Sequence, residues 1–509
     1  MTEDFATLRN GSALPLADIP QTDFNSFRSL LLEQIAGGAH LAALFPIPAA
    51  EGFRLLAVLV DPGSGALSLF SAAIGESFSS LTPDAPEAHA FEREMAEQWG
   101  VIPTGHPWLK PLRFQEPLPG GTGNRPNGNF GTGQPSVMDF FSVEGEEVHE
   151  VAVGPVHAGV IEPGHFRFQC HGESVFHLEI SLGYQHRDIE RRLAGGPDKL
   201  SAARVEAAAG DTTVGHSLAY AMNIEALGGM DVDPRAGRVR AAALELERLA
   251  NHTGDLGALS GDVGYLPTAN YCGRLRGEFL NLTALLCGNR FSRGLIAPGG
   301  LGQALDRERA DLLLKRLKPS LADTLRAARL LFSSPSVVAR FEEVGRLSRE
   351  NASHLGLVGP AARASGLPRD IRLELPYGPY APDLFELPIY DTGDVMARAR
   401  VRRREIEIAA ALVEKWLGGM EAFPVPAQER FRKIRLAPET VAVSLVEGWR
   451  GEICHVALTG EDGCFRQYKI VDPSFHNWFG LAVAMRGQQI SDFPLCNKSF
   501  NLSYCGHDL

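Results

Sequence analysis

Five titratable side chains stand out as residues that could move protons. They are Arg187, Glu190, Glu206, His157 and His216. Burial raises the pKa of a carboxyl group and a nearby cation lowers it, so a partly buried glutamate beside an arginine can titrate near neutral pH. A histidine titrates in that range without such help. Side chains of these types can exchange protons where the fold brings them together.

The same residues also have structural interpretations. Either histidine can be a packing residue with satisfied hydrogen bonds. Glu190 and Arg187 lie three residues apart and can form a plain ion pair. The residue types alone leave both interpretations open.

The cysteines predict no metal site made by this chain itself. There are seven, and no two of them form a C-x-x-C pair. An odd number in so long a chain is typical of reduced thiols in the cytosol. The sequence contains no recognisable iron–sulfur or zinc signature. If the protein takes part in redox chemistry, we expect a neighbouring chain to carry the clusters.

Composition bounds the class of protein. A chain of 509 residues with 44% hydrophobic and 22% charged residues predicts a globular protein of two or three domains. The net charge of -12 argues against a nucleic-acid partner. No run of about 18 apolar residues predicts a membrane span, and the acidic start Met1–Asp4 is unlike a signal peptide. Any membrane contact is expected to come through partner proteins.

The predicted elements divide the chain into three parts. Residues 1–114 predict an α/β domain, with helices at 23–37 and 86–99 and strands at 55–60 and 66–72. Residues 115–138, rich in glycine and proline, predict a linker. Residues 139–509 predict small sheets around a helical bundle. Its strands are expected at 148–160, 165–179, 441–446, 454–458 and 465–471, and its helices at 202–227, 238–259, 274–290, 305–332, 395–417 and 477–486.

Two shorter patterns carry structural predictions. The sequence PGG at 298–300 predicts a tight turn. The arginine-rich residues 398–404 predict a helix face that meets solvent or a partner.

Four stretches, taken in chain order, carry a family resemblance. They are FERE at 91–94 with WGV at 99–101 and GHPWL at 105–109; GPVHAG at 154–159 with EPGHF at 162–166; LGYQHRDIE at 182–190 continuing to GDTTVGHSLA at 210–219; and DPSF at 472–475 through DFP at 492–494 to Leu509. Together they resemble the fused large subunit of formate-hydrogenlyase- and hydrogenase-4-type (group 4) nickel–iron hydrogenases. That subunit is related to the 30-kDa and 49-kDa subunits of NADH:quinone oxidoreductase. The resemblance implies an α+β fold: a 30-kDa-subunit-like α/β domain and a hydrogenase-large-subunit-like helical bundle flanked by small β-sheets.

The sequence departs from this family at the nickel ligands. Nickel-bearing members use C-x-x-C-x-x-x-H and D-P-C-x-x-C to supply four thiolates. With His216 setting the register, the corresponding positions are Ala209, Thr212, Ser503 and Gly506. Alanine and glycine cannot ligate, and neutral hydroxyls are poor ligands for a soft metal site. We therefore expect an energy-converting-hydrogenase-related variant that lacks nickel.

The quinone site of the relatives is only partly matched. His157 corresponds to their histidine, whereas Glu206 stands where they have a tyrosine, so a quinone would lose its phenolic donor. Glu190 and Arg187 match the R-G-x-E motif, whose glutamate passes protons in hydrogenases, with Asp188 in place of glycine. The resemblance thus assigns Glu190, Arg187, Glu206 and His157 to a proton relay or acceptor cavity. It assigns His157 and His216 to a vestigial cavity, with quinone as a candidate ligand.

The resemblance also implies partners and a location. We expect a small subunit with a 4Fe-4S cluster, a further ferredoxin-like subunit and antiporter-like membrane subunits, on the cytoplasmic side of the bacterial inner membrane. Two functions remain open: coupling of electron transfer at the neighbouring cluster to ion translocation, and a non-catalytic scaffold or coupling role. An open cavity favours the first, and one filled by side chains such as Tyr504 or Phe500 favours the second. An active hydrogenase would need ligands that this sequence lacks.

Overall fold

The structure is a computed structural model that describes residues 4–122, 134–157, 161–381, 383–429 and 433–509. Residues 123–133 of the predicted linker and residues 158–160 of the predicted strand 148–160 lie outside the described residues. The domain boundaries at 114 and 139 stay a prediction.

The N-terminal unit is a five-stranded sheet with two helices. Its elements are β1 (Ala6–Leu8), β2 (Ser12–Pro15), β3 (Gln21–Thr22), α1 (Phe24–Ala36), β4 (His40–Pro48), β5 (Phe53–Asp61), β6 (Ala66–Ile74), β7 (Ser77–Ser79), α2 (His89–Trp99) and β8 (Ile102–Thr104). Strands β4, β5 and β6 form an antiparallel meander, and β1 and β3 both pair with β6. The meander is buried almost throughout. Asp23 begins α1 by accepting hydrogen bonds from the amides of Asn25 and Ser26.

A three-stranded antiparallel sheet follows. It consists of β9 (Val148–Val153), β10 (His165–His171) and β11 (Ser174–Ser181), with β10 in the centre. The predicted strand 165–179 is therefore a hairpin, because Gly172 turns the chain with a φ of 55°. The predicted strand 148–160 ends at Val153. Gly154 has a φ of 87°, and Pro155 has no amide hydrogen to continue the ladder.

Helices make up the central part of the chain. They are α3 (Ile189–Leu193), α4 (Ser201–Glu206), α5 (Thr213–Gly228), α6 (Pro234–Asp262), α7 (Leu266–Cys287), α8 (Arg307–Ser333), α9 (Pro335–Phe341), α10 (Arg349–His354), α11 (Gly359–Ala364), α12 (Ile371–Glu374) and α13 (Val395–Gly418). Helix α6 lies at the centre and packs against α7 and α13. The predicted helix 202–227 is two helices, α4 and α5, and the break between them forms part of the candidate site.

The remaining elements complete the fold. The PGG turn joins β12 (Ile296–Ala297) to β13 (Gly300–Leu301), and Gly299 has a φ of 83°, as expected for a tight turn. The C-terminal part contains β14 (Thr440–Gly448), β15 (Gly451–Thr459), β16 (Phe465–Val471), α14 (Pro473–Ala484), α15 (Phe493–Phe500) and α16 (Tyr504–Asp508). Asp472 begins α14 by accepting from the Ser474 amide.

Strand β2 connects the N-terminal unit to the C-terminal sheet. It is not part of the N-terminal sheet; it pairs antiparallel with β14, which gives the strand order β16-β15-β14-β2. Just before it, the Asn10 side chain bonds to both main-chain groups of Leu445 and to the carbonyl of Leu375. The N-terminal unit is thus hydrogen-bonded into the C-terminal sheet.

The predicted fold class is confirmed: an α/β N-terminal unit accompanies a helical bundle with small separate sheets. The surface prediction for residues 398–404 is wrong for two of its arginines, whereas Arg400 is exposed as predicted. Arg398 and Arg402, expected on an open helix face, are 1% and 2% exposed. Their guanidinium groups bond to carbonyl and side-chain oxygens of the protein, which replace the lost water.

Within the described ranges, no helix is both long and apolar enough to cross a membrane.

Candidate functional site

Two arginines tie together the two segments that the resemblance assigns to nickel ligands. Arg450 donates to the Asp211 carboxylate at 2.6 Å, to the Thr212 hydroxyl at 3.1 Å and to the Asn501 carbonyl at 2.5 Å. Arg187 donates to the carbonyls of Ala208 and Cys505, at 3.0 and 2.8 Å. Guanidinium hydrogen bonds therefore hold the break between α4 and α5 against the start of α16.

The donor groups at these positions do not fit a nickel centre. Ala209 and Gly506 offer no side-chain donor atom. The Ser503 hydroxyl caps α16 by accepting from the Gly506 amide at 2.9 Å, and the Thr212 hydroxyl is bonded by Arg450. The nearby thiol of Cys505 has a pKa raised to about 11, chiefly by burial, so it stays protonated. Across the described residues, no group of three or more His, Cys, Asp or Glu side chains is arranged to hold a metal ion.

Space as well as chemistry excludes a larger side chain at position 506. A Cβ atom there would lie 2.6 Å from the carboxyl carbon of Asp472. Real contacts between carbon atoms lie at about 3.5–4.0 Å. The Asp472 carboxyl group thus occupies the space that the side chain of a cysteine at position 506 would need.

Asp472 begins a buried chain of four hydrogen-bonded side chains. Its carboxylate lies 3.1 Å from Nε2 of His216, whose Nδ1 lies 3.0 Å from Nε2 of His455. Nδ1 of His455 lies 3.0 Å from the Tyr468 hydroxyl. His216 and His455 are fully buried. The four residues come from α5, β15, β16 and the start of α14, and we call them the Asp472 relay.

The electrostatics of the Asp472 relay fix one proton arrangement. Burial raises the pKa of Asp472, but the His216 hydrogen bond and the charge of Arg450 outweigh it, so this pKa is below the usual value. Burial holds the pKa of His455 well below its usual value and that of Tyr468 well above. An ionised Asp472 accepts from His216, a neutral His455 donates to His216, and Tyr468 donates to His455. One proton can therefore shift along the whole chain by successive transfers.

Glu190 and Arg187 do not pair with each other. Oε1 of Glu190 accepts from the Ile470 amide at 2.8 Å and lies 3.0 Å from Nζ of Lys469. Lys469 also bonds Glu94 of α2 at 2.6 Å. Arg187 bonds only main-chain carbonyls among its described contacts, including the Ala207 carbonyl that helps to end α4. The plain Glu190–Arg187 ion pair is therefore wrong.

Glu206 and His157 lie in two further places. Glu206 ends α4, is 5% exposed, and accepts from the Gly294 amide at 2.8 Å. Nε2 of His157 lies 2.9 Å from the Gly164 carbonyl, with its ring against Phe166. His216 lies in the Asp472 relay and Glu190 beside Lys469, so these predicted residues contact different partners. Their assigned roles stay predictions.

Four residues of the site were not predicted from the sequence as site residues: Arg450, His455, Tyr468 and Asp472. A histidine within the apolar predicted strand 454–458 was a usable signal, because a buried imidazole needs partners. Asp472, which precedes a proline, belongs to one of the stretches that carry the family resemblance, and nothing else in the sequence marks it. Neither residue reveals its partner without the pairing of β14, β15 and β16.

A separate cavity of about 740 Å³ lies between α5, α6 and α13. Tyr377, Trp416 and the buried ion pair of Arg240 with Glu225 line it. Arg240 also bonds the carbonyls of Ala297 and Gly300, which fixes the PGG turn. The lining of this cavity includes none of the five predicted residues.

The chain is similar in sequence and fold to several known proteins. Residues 262–508 match the family described as "Respiratory-chain NADH dehydrogenase, 49 Kd subunit". The carbon monoxide-induced hydrogenase of Rhodospirillum rubrum is 31% identical, covering 69% of this chain and 97% of that protein. Formate hydrogenlyase subunit 5 of Escherichia coli is 29% identical, covering 84% and 76%. A chain in the structure of the membrane-bound sulfane sulfur reductase, an archaeal respiratory membrane complex, superimposes with a TM-score of 0.64 at 23% identity, covering 72% of this chain and 99% of that one.

Proposed function

We propose, from the premise that this chain belongs to the family of complex-I-related hydrogenase large subunits and NADH dehydrogenase 49-kDa subunits, that it is a nickel-free member of a membrane-associated redox complex. In that complex it couples electron transfer at a neighbouring iron–sulfur subunit to proton or ion translocation. The family members named above are oxidoreductase subunits. The finer statements, without nickel and coupled to translocation, are our proposal.

The observation that carries the nickel-free proposal is the chemistry at four positions. Ala209, Thr212, Ser503 and Gly506 offer two hydroxyls and no thiolate, and both hydroxyls already serve hydrogen bonds. Asp472 occupies the space beside Gly506. A soft metal centre needs thiolates, so no step of the proposed mechanism passes through nickel.

The proton part of the proposal rests on this chain's own residues. The Asp472 relay can transfer protons along four buried, hydrogen-bonded side chains. When His216 is protonated on both nitrogens, Asp472 stabilises the imidazolium, as a carboxylate beside a histidine does. Such an imidazolium forms when His455 passes its Nε2 proton to Nδ1 of His216 and takes up the Tyr468 hydroxyl proton at its own Nδ1. Glu190, held by Lys469, is a second place where charge can be stored near the surface of α3.

The partners of the proposed complex follow from the relatives. We assign the electron input to a small 4Fe-4S subunit, with a further ferredoxin-like subunit, and the ion movement to antiporter-like membrane subunits. Relatives named as a formate hydrogenlyase subunit and as a chain of a respiratory membrane complex support a multi-subunit assembly. A place on the cytoplasmic face of the bacterial inner membrane is part of the same proposal.

A quinone is a candidate acceptor with a rebuilt site. Glu206 stands at the tyrosine position of the quinone-binding relatives and accepts from the Gly294 amide. A carboxylate accepts hydrogen bonds, whereas a quinone carbonyl needs a donor. A quinone at this place would therefore require Glu206 to be protonated or to turn away.

A second candidate function, a non-catalytic scaffold or coupling subunit, is favoured by side-chain packing. Tyr504 is 5% exposed and lies against Gly164, where a Cβ atom would be 2.5 Å from its ring. Phe500 is 4% exposed and stacks under the Arg398 guanidinium. Filled space beside the former ligand positions leaves less room for an acceptor.

One experiment on the purified complex separates these functions. Nickel content is measured together with a redox titration by electron paramagnetic resonance, with and without added quinone. Stoichiometric nickel would overturn the proposal. Absence of nickel with quinone-dependent reoxidation of the cluster supports the coupled redox enzyme, and absence of both supports the scaffold.

Variants then test the proton role. We expect Glu190→Gln and His216→Gln to reduce proton translocation by vesicles containing the complex while the cluster potential stays unchanged. Glu350→Gln, an exposed position on α10, is the matched control. Equal translocation by all three variants would contradict the proton role.

A further inference from the structure

A second cluster of buried titratable groups lies between the N-terminal unit and the rest of the protein. His40 begins β4, and its Nε2 lies 2.7 Å from Oε2 of Glu452 on β15. The two side chains are 1% and 2% exposed. This hydrogen bond joins residues 412 positions apart in the chain, so it crosses from the N-terminal sheet to the C-terminal sheet.

Further titratable groups on other elements interact electrostatically with this pair. Glu87 precedes α2, Glu374 ends α12, and His476 lies on α14. Arg369, on the loop before α12, is the cation that acts electrostatically on all of these groups. Asp370 and Glu447 add negative charge beside Glu374. We call His40, Glu87, Glu374 and Glu452 the seam cluster.

The seam cluster contains buried polar atoms without a partner. Among the described residues, Nδ1 of His40 and one carboxyl oxygen each of Glu87, Glu374 and Glu452 lack a hydrogen-bond partner. Nε2 of His476 is in the same condition. Buried polar atoms are rarely left unpaired in proteins, and each asks for an explanation such as a bound ligand or a catalytic role.

Strand pairing brings a further carboxyl group against the pair. Glu452 stands directly opposite Glu447 in the β14–β15 ladder. Like charges at opposed positions destabilise a sheet. Glu447 is compensated by Arg363 at 2.8 Å, whereas Glu452 has His40 as its hydrogen-bond partner.

The direction of each pKa shift agrees with protonated carboxyls. Burial raises the pKa of Glu452 to about 8, against the charge of Arg369. Burial likewise raises the pKa of Glu87 to about 7 and that of Glu374 to about 8, and the charge of Glu452 adds to both. Burial holds the pKa of His40 well below its usual value and lowers that of His476 to about 3. Protons at neutral pH therefore reside on carboxyl groups rather than on imidazoles.

We propose that the seam cluster is an internal proton-binding site that joins the N-terminal unit to the large-subunit core, with a bound proton shared along the His40–Glu452 hydrogen bond. The ligand is a proton, taken up and released as one unit of charge. This inference goes beyond the proposed function and does not depend on it.

The transfer within the site needs no other reactant. The Glu452 hydroxyl donates to Nε2 of His40, which carries its own hydrogen on Nδ1. Moving the shared proton breaks the O–H bond of Glu452 and forms an N–H bond on His40, leaving a carboxylate and an imidazolium. Net release of one proton to base in the solvent leaves a Glu452 carboxylate that accepts a hydrogen bond from the Nε2–H of a neutral His40. Glu374 is the least buried of the four side chains.

Infrared titration of the full-length protein tests the site. The carboxylic C=O stretch distinguishes a protonated carboxyl group from a carboxylate. Since burial raises the pKa of Glu87 to about 7 and that of Glu452 to about 8, we expect wild-type protein to lose such bands as the pH rises through this range. Glu452→Gln should remove one band. It should also move the titration of Glu87 and Glu374 to lower pH, because the charge of Glu452 raises the pKa of both groups.

Glu97→Gln is the matched control. Glu97 is also buried, and its pKa is raised to about 7 by burial, but it bonds the amides of Arg113 and Phe114 outside the seam cluster. This variant should lose its own band and leave the other midpoints in place. If Glu452→Gln does not fold, His40→Gln keeps the carboxyl group and removes its base, and the Glu452 midpoint should shift. A wild-type spectrum without titrating carboxylic bands, or midpoints that neither seam variant moves, would overturn the proposal.

Discussion

Gly506 lies directly against Asp472, with room for no side chain between them. A Cβ atom on Gly506 would be 2.6 Å from the Asp472 carboxyl carbon. Asp472 cannot simply turn aside, because its carboxylate bonds His216 and the Ser474 amide. Glycine at 506 and aspartate at 472 are therefore mutually dependent.

Gly506→Ala should destabilise the protein by about 1–3 kcal/mol, the usual cost of overpacking a filled core. Thermal unfolding measures the effect. Gly210→Ala is the matched control, since a Cβ atom at Gly210 meets nothing within 4 Å. Equal melting temperatures for the two variants would show that the Asp472 side chain can move aside without loss of stability.

Asp472→Asn should weaken the protein most at neutral pH. The folded-state pKa of Asp472 lies below its usual value of 3.8, so its stabilisation is present above pH 3.8 and is lost as the pH falls through the folded pKa. The melting temperatures of wild type and variant should therefore converge in acid. Asp394→Asn, which makes the same change at another buried helix N-cap, is the control for the capping position alone. A difference that stays constant from neutral to acid pH would contradict an ionised Asp472.

Glu247→Gln should change the alkaline side of the stability profile. Burial raises the pKa of Glu247 from 4.5 to about 8, against hydrogen bonds from the Val214 and Gly215 amides. Unfolding releases this proton between those pH values, so wild-type stability falls as the pH rises through that range. The variant lacks this loss. Its melting temperature relative to wild type should rise from pH 5 to pH 9, whereas the exposed Glu350→Gln should track wild type throughout.

Arg398→Ala should be strongly destabilising, by about 3–5 kcal/mol, because it leaves buried acceptors unpaired. The guanidinium donates to the Ser499 hydroxyl and to the carbonyls of Gly393 and Gly345. Arg400→Ala, on the exposed side of the same helix, should change stability by less than about 0.5 kcal/mol. Chemical denaturation of both variants checks the contrast. Similar losses of stability in the two variants would contradict the claim that burial of Arg398 makes its replacement costly.

Arg450→Lys should loosen the two segments that Arg450 joins. Lysine keeps the charge but cannot form the paired hydrogen bonds to Asp211 or reach the Asn501 carbonyl at the same time. Hydrogen exchange should speed up in residues 209–212 and 501–506. Arg403→Lys, partly exposed on α13, is the control. Unchanged exchange at both segments would show that other contacts hold them together.

Local structure could be predicted from the sequence, but side-chain contacts between residues far apart in the chain could not. Helices such as α1 and α13 were predicted to within one or two residues, because capping residues and apolar spacing act over a few positions. The break between α4 and α5 was missed, since the Arg187 bonds that accompany it come from a preceding segment. The burial of Arg398 was missed because its acceptors are up to 101 residues away.

The candidate site shows the same division. The resemblance identified the positions that correspond to nickel ligands, and His216 is a member of the Asp472 relay. Its partners His455 and Asp472 come from elements 239 and 256 residues away. A single sequence holds no information on which strands meet, so the Asp472 relay could not be assembled from it.

The pairing of β2 with β14 has a mechanical consequence. The N-terminal unit is attached both through the chain that follows it and through a strand laid into the opposite sheet, with Asn10 bonding to that sheet as well. If the N-terminal unit moved away from the C-terminal sheet, the main-chain hydrogen bonds between β2 and β14 would have to break. The same movement would strain the hydrogen bond between His40 and Glu452, which joins the two units at a second place.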